Sequence, residues 1–145
     1  MFSDKEVAYL KSQRLARIAT VSQRLQPDVA PVGFEFDGAY FYIGGLNNPA
    51  TLKYQNVARG NTKVALVIDD VESVDPWQPR FIKIHGSADI VTRQGQSAAN
   101  PSLRITPLVK WSMGIDEPAF QEGQPLIKKI TQSHAAGAEA ARGRQ

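Results

Sequence analysis

The 145-residue chain contains no cysteine, which excludes disulfides, zinc–thiolate centres and a cysteine nucleophile. It has two histidines, His85 and His134, with no partner at ligand or triad spacing, so neither a histidine metal site nor a Ser–His–Asp set is indicated. No apolar run approaches the roughly 20 residues that a membrane helix needs. Met1–Lys11 is charged and lacks the apolar stretch of a secretory signal. A soluble, cytoplasmic protein without a membrane partner is therefore expected. Excess charge is scarce too: the net charge is +3, and Arg142 and Arg144 of an Ala/Gly-rich tail contribute to it. No basic run carries interleaved aromatics, which argues against nucleic acid as a partner. A weak basic excess suits an anionic small molecule.

What is present reads mostly as strands. Ser3-Asp4-Lys5-Glu6 is a capping box, and Val7, Leu10 and Leu15 predict a short amphipathic helix near residues 4–13. Strands are predicted at Ala16–Val21, Val29–Phe36, Ala39–Ile43, Lys63–Ile68, Phe81–Ile90 and Leu103–Trp111. Asp37-Gly38 is a two-residue hairpin signal. Pro107 implies an edge or a bulge in the last strand. A second helix starts with Asn48 as N-cap and Pro49 at its first position, and Gly60 stops it. Asp69–Pro79 reads as a long connection whose acidic residues solvate a turn. Six strands, mostly adjacent in sequence, predict an antiparallel sheet closed into a small barrel with flanking helices. Beyond Glu117 the pattern weakens. Residues 117–132 are expected to be a C-terminal extension, and 133–145 a disordered tail.

The segment Tyr40–Asn61, YFYIGGLNNPATLKYQNVARGN, carries the clearest chemical signal. A strand ends in Gly44-Gly45, a helix begins, and Thr51 and Lys53 lie in its first turns. Free amides at a helix start, one hydroxyl and one ammonium can hold a phosphate. A capped helix beside a lysine is also a common surface feature, and spacing alone does not separate the two readings. His85 reads as an ordinary polar-face residue rather than a base, because no partner positions it.

The order LARIATV, DVAPVGFEFDGAYFYIGG, TLKYQNVARGNTKVALVIDDVESVDPW, RFIKIHGSADI and LRITPLVKWSMGID resembles the pyridoxamine 5'-phosphate oxidase-like family, in its coenzyme F420-dependent, tetracycline dehydro-reductase-like branch. The resemblance covers about residues 5–116 and implies a split-barrel cofactor-binding domain over 1–116. It also implies a homodimer with cofactor sites at the interface. The implied activity is hydride transfer from reduced deazaflavin to an electron-poor double bond of a small organic substrate, with no essential catalytic side chain. By the same resemblance, Pro31, Val32 and Gly33 would line the cofactor ring through their backbone, and Ile43 and Gly44 would continue that wall. Asn48, Thr51 and Lys53 would hold the phosphate, and Asn56 would brace the loop presenting Lys53. Trp77 would reach the partner's site or, more in keeping with a Trp between prolines, pack the interface. Where the branch has Ser-Trp-Gly, this chain has Trp111-Ser112-Met113-Gly114, a change that bears on pocket shape. FMN in place of F420, or a non-catalytic dimer carrying a cofactor or tetrapyrrole, uses the same residues.

Overall fold

The structure is a computed structural model that describes residues 1–132. Helix α1 (Asp4–Ser12) has the expected capping box: Glu6 N donates to Ser3 Oγ at 3.1 Å, and Ser3 N donates to Glu6 Oε1 at 2.9 Å. It buries Glu6, Tyr9 and Leu10, one stripe at helical spacing. Leu15 already belongs to strand β1 (Leu15–Val21) and is exposed.

β1 pairs with β2 (Pro27–Gly33), while β3 (Glu35–Phe36) pairs with β4 (Phe41–Ile43). The single strand expected over residues 29–36 is thus two strands broken at Phe34. The Asp37-Gly38 turn holds as read: Asp37 Oδ1 accepts from the amides of Ala39 and Tyr40 at 2.9 and 2.7 Å, and Gly38 has φ +102°. The second helix is shorter than read. Asn48–Ala50 is a 3-10 turn, and α2 (Leu52–Ala58) is capped by Thr51 instead of Asn48.

β5 (Lys63–Ser73) and β6 (Gln78–Val91) form one long hairpin. The long connection expected over Asp69–Pro79 is therefore largely strand. Asp69 and Asp70 do not solvate a turn: Asp69 pairs with Arg17 at 2.9 Å, and Asp70 takes Arg80 through two hydrogen bonds of 2.9 and 2.6 Å. β7 (Ser102–Met113) follows, with Pro107 opposite Gly86 beside a register shift, so Leu108 is the extra residue of a bulge. A Cβ on Gly86 would lie 2.7 Å from Thr106 O, so only glycine fits the bulge as built.

The extension at 117–132 is not an appendage. It contains a small hairpin, β8 (Phe120–Gln121) and β9 (Gln124–Pro125), then β10 (Ile127–Thr131), which pairs with β7 over Val109–Met113. The tail read at 133–145 lies outside the described residues.

The main sheet runs β2-β1-β5-β6-β7-β4-β3, all antiparallel, with β10 added on β7. β2 and β3 stand at opposite ends of that path yet are separated in the chain by Phe34 alone. The sheet must therefore curl until its two ends meet, which makes the split barrel. Ile18, Phe41, Ile43, Leu66, Ile68, Ile82, Ile84, Leu103 and Ile105 fill its interior. Glu6 and Lys110 are also fully buried and paired at 2.5 Å. Among the described residues no helix is long and apolar enough to cross a membrane.

Register fixes what the outside of the barrel shows. Pro31, Arg17, Val67, Lys83, Trp111 and Lys129 lie opposite one another in a single row across six strands. Val29, Ala19, Ala65, His85, Val109 and Thr131 form the next row on that face.

Candidate functional site

The start of α2 leaves a small set of unused donors. Thr51 Oγ1 donates to Asn48 O at 2.7 Å and accepts from Tyr54 N at 3.4 Å, so its hydroxyl is spent on the cap. Asn48 is fully buried, and its amide donates to Ile43 O at 3.1 Å and Pro101 O at 3.0 Å. It braces the loop between β4 and α2 from inside. By contrast, among the described residues the amides of Leu52 and Lys53 and the Lys53 ammonium have no hydrogen-bond partner. Partial burial pushes the Lys53 pKa down, against the pull of the nearby Asp28 carboxylate. A half-buried cation and two free amides on the first turn of one helix are chemically suited to a phosphate. Asn56 is buried in α2 and donates to Thr20 Oγ1 at 2.9 Å, which pins the helix carrying Lys53 to β1.

The predicted ring wall divides in two. Val32 and Ile43 point into the core, so only their backbone can meet a ligand. Pro31 is exposed on the outer face of β2, the end strand of the sheet, which has one backbone edge without a strand partner among the described residues. Gly33 and Gly44, distant in sequence, line one cleft of about 410 Å³. This cleft also holds Tyr42, Arg93, Gln96 and Ser102, which the sequence reading did not single out. The Arg93 guanidinium lies 4.0 Å from the Tyr42 ring centre and pairs with Glu35 at 2.5 Å. Gln96 donates to Ser102 Oγ at 2.6 Å. Arg93 and Gln96 come from a loop at 92–101 with no periodic pattern, Tyr42 from β4 and Ser102 from the start of β7, so only the register of β4 on β7 could have revealed them.

Trp77 is 54% exposed at the tip of the β5–β6 hairpin, apart from both groups. His85 is exposed on the outer face, where its ring meets the Trp111 ring edge-on at 4.6 Å. Ser112 and Met113 are both buried but alternate in direction: Ser112 shares the inner face with Lys110, whereas Met113 lies two residues past Trp111 on the outer face and outside the core cluster, so the departure changes the surface beside the outward-facing Trp111.

The family model for pyridoxamine 5'-phosphate oxidase matches residues 2–137. The chain belongs to the pyridoxamine 5'-phosphate oxidase family. A curated relative in Streptomyces rimosus, the 5a,11a-dehydrotetracycline/5a,11a-dehydrooxytetracycline reductase, is 36% identical over 120 residues, covering 77% of this chain and 84% of its own. Among solved structures, an F420 reductase superposes with a TM-score of 0.56 at 19% identity, covering 74% of this chain and 95% of that one. The heme storage protein HutZ of Vibrio cholerae superposes with a TM-score of 0.59 at 13% identity, covering 86% and 100%. At such identities both attest the split-barrel fold alone. The groups of this family member left free for a ligand among the described residues are Lys53 with the α2 amides at one place, and the Gly33–Gly44–Arg93 cleft at another. The loop braced by Asn48 runs between them.

Proposed function

We propose that this protein is an F420-dependent oxidoreductase that passes a hydride from reduced deazaflavin to an electron-poor double bond of a small organic molecule. The observation that carries the reading is the Lys53 ammonium, without a partner among the described residues, on the same first turn of α2 as the free amides of Leu52 and Lys53. The reductase 36% identical to this chain supports the reaction class.

The residues present fit a phosphorylated, planar cofactor. Lys53 and the α2 amides would hold its phosphate. Thr51 orders those amides as cap, and Asn48 and Asn56 position the loop and helix behind them, a supporting role in place of direct phosphate contact. Pro31 and the backbone of Val32, Gly33, Ile43 and Gly44 offer a wall that a flat ring can approach closely, since glycine has no side chain to interfere. When bound, reduced deazaflavin supplies the hydride, and the protein's work is to bind, orient and shield. A homodimer with sites between subunits, and Trp77 as a packing residue of that interface, are part of the proposal.

Titration of the purified protein with reduced F420 and with FMN tests it, followed by a panel of electron-poor acceptors. Tight binding of reduced F420 and turnover of an enone are expected. Retention of FMN with no affinity for F420 would move the reading to a flavin oxidoreductase. Binding without turnover of any acceptor would contradict an enzyme.

A further inference from the structure

Five of the eight lysines and arginines on the strands of this barrel are neutralised where they stand. Arg17 pairs with Asp69, Arg80 with Asp70, Arg104 with Asp89, Lys110 with Glu6 and Lys128 with Asp116. Lys63, Lys83 and Lys129 have no carboxylate partner among the described residues, and all three lie on the outer face of the sheet. Two of them converge on one ring. Lys83 Nζ sits 4.4 Å from the Trp111 ring centre and Lys129 Nζ 5.4 Å, with His85 at its edge. Beside His85 an apolar groove of about 370 Å³ runs over Ala19, Ala65, Gly86 and Val109, with Lys63 at its rim.

Uncompensated ammonium groups around an aromatic ring and an apolar trough select one ligand chemistry: flat, conjugated and negatively charged. A neutral ring would leave the lysines unpaired, and a small inorganic anion would leave the trough wet. We infer that Trp111, with Lys83 and Lys129, is a docking platform for a planar ring anion, such as an enolate or aromatic carboxylate, on the acceptor-substrate side of the reaction. Pro31 shares the row of Trp111 but stands four strands away, roughly 19 Å at about 4.8 Å per strand. A molecule on Trp111 therefore meets a ring on the β2 wall only when a second copy lays its own β2 over this face, about an axis at β5, the strand midway between β2 and β7. The inference rests in that respect on the interface reading above.

Calorimetric titration with 1-hydroxy-2-naphthoate, alongside neutral 2-naphthamide, tests the platform without any cofactor. The anion is expected to bind at least tenfold more tightly than the amide. Lys83→Gln with Lys129→Gln, both at exposed positions that keep the fold, should weaken it about tenfold or more, and Trp111→Leu should abolish it. Lys128→Gln, whose lysine pairs with Asp116, should change nothing. Equal affinity for anion and amide, or an unchanged affinity in the double variant, overturns the assignment. Lys53→Ala should leave naphthoate affinity intact. Naphthoate binding without F420 binding would keep the platform and remove the reductase; F420 turnover without naphthoate binding would do the reverse.

Discussion

Glu6 shows how much one side chain can carry. It closes the capping box of α1 through Ser3 N and, with the same carboxyl oxygen, accepts from Lys110 Nζ at 2.5 Å in the barrel interior. Lys110 Nζ also donates to Met1 O at 2.7 Å. Burial works to raise the Glu6 pKa, but the hydrogen bonds from Lys110 and the Ser3 amide outweigh it, and the net shift is downward. Removing one partner leaves a buried charge unmatched. Glu6→Gln or Lys110→Met should each cost about 3–5 kcal/mol in urea unfolding, whereas Glu6→Leu with Lys110→Met should cost far less than the sum. Additive losses in that double variant would contradict the pair. Asp37, Asp70 and Asp116 are likewise held low, led by the amides around Tyr40, by Arg80 and by the Ser3 hydroxyl, respectively. A carboxyl with a depressed folded pKa stabilises the fold above its unfolded value and loses that contribution as pH falls. Stability should therefore decline from about pH 4.3 downward, and a thermal melt series that stays flat to pH 3 would speak against it.

At the level of elements, the bulge in β7 and the anchoring of α2 matter most. Gly86→Ala places a methyl group against the Thr106 carbonyl, so it should destabilise by about 1–3 kcal/mol; Gly95→Ala, in open space but at φ +84°, tests backbone strain without a clash. Asn56→Ala removes the link to Thr20, and about 1–2 kcal/mol of stability is expected to go with it. If Asn56 positions Lys53, cofactor affinity should fall as well. Thr20→Val leaves the Asn56 amide unpaired and should reproduce both effects, read as a change in Kd as well as in Tm.

The same elements show what the sequence could and could not reveal. The capping box, the Asp37-Gly38 hairpin, the strand at β1 and the inner face of β6 follow from local chemistry, and the structure matches them. The split at Phe34 was not legible, because it is imposed by closure of the sheet and not by any residue nearby. Asp69 and Asp70 looked like turn residues because their neutralising partners, Arg17 and Arg80, are supplied by other strands or across the hairpin. β10 escaped notice because four of its five residues are exposed and give no apolar rhythm. Lys53 and its helix were visible as a motif, yet the inward turn of Asn48 and the capping role of Thr51 depend on Pro101 and on the 3-10 turn. Arg93 and Trp111 became functional candidates only through register.

At the scale of the whole molecule, one sheet curls so that its ends join at Phe34, and its outer face stays uncovered by the described residues. That face combines apolar residues such as Val29 and Ala65 with three lysines that have no carboxylate partner among the described residues, a surface suited to a second copy with an anionic ligand between. Sedimentation at micromolar concentration should give a dimer, and Trp77→Ser, at the exposed hairpin tip, should weaken it; a monomer at all concentrations would remove the interface from the proposal. The central claim concerns a single charge. Reduced F420 should bind the wild-type protein tightly, and Lys53→Ala should raise its Kd at least tenfold while the melting temperature stays within a few degrees. A Kd within twofold of wild type in the folded Lys53→Ala protein would contradict the account.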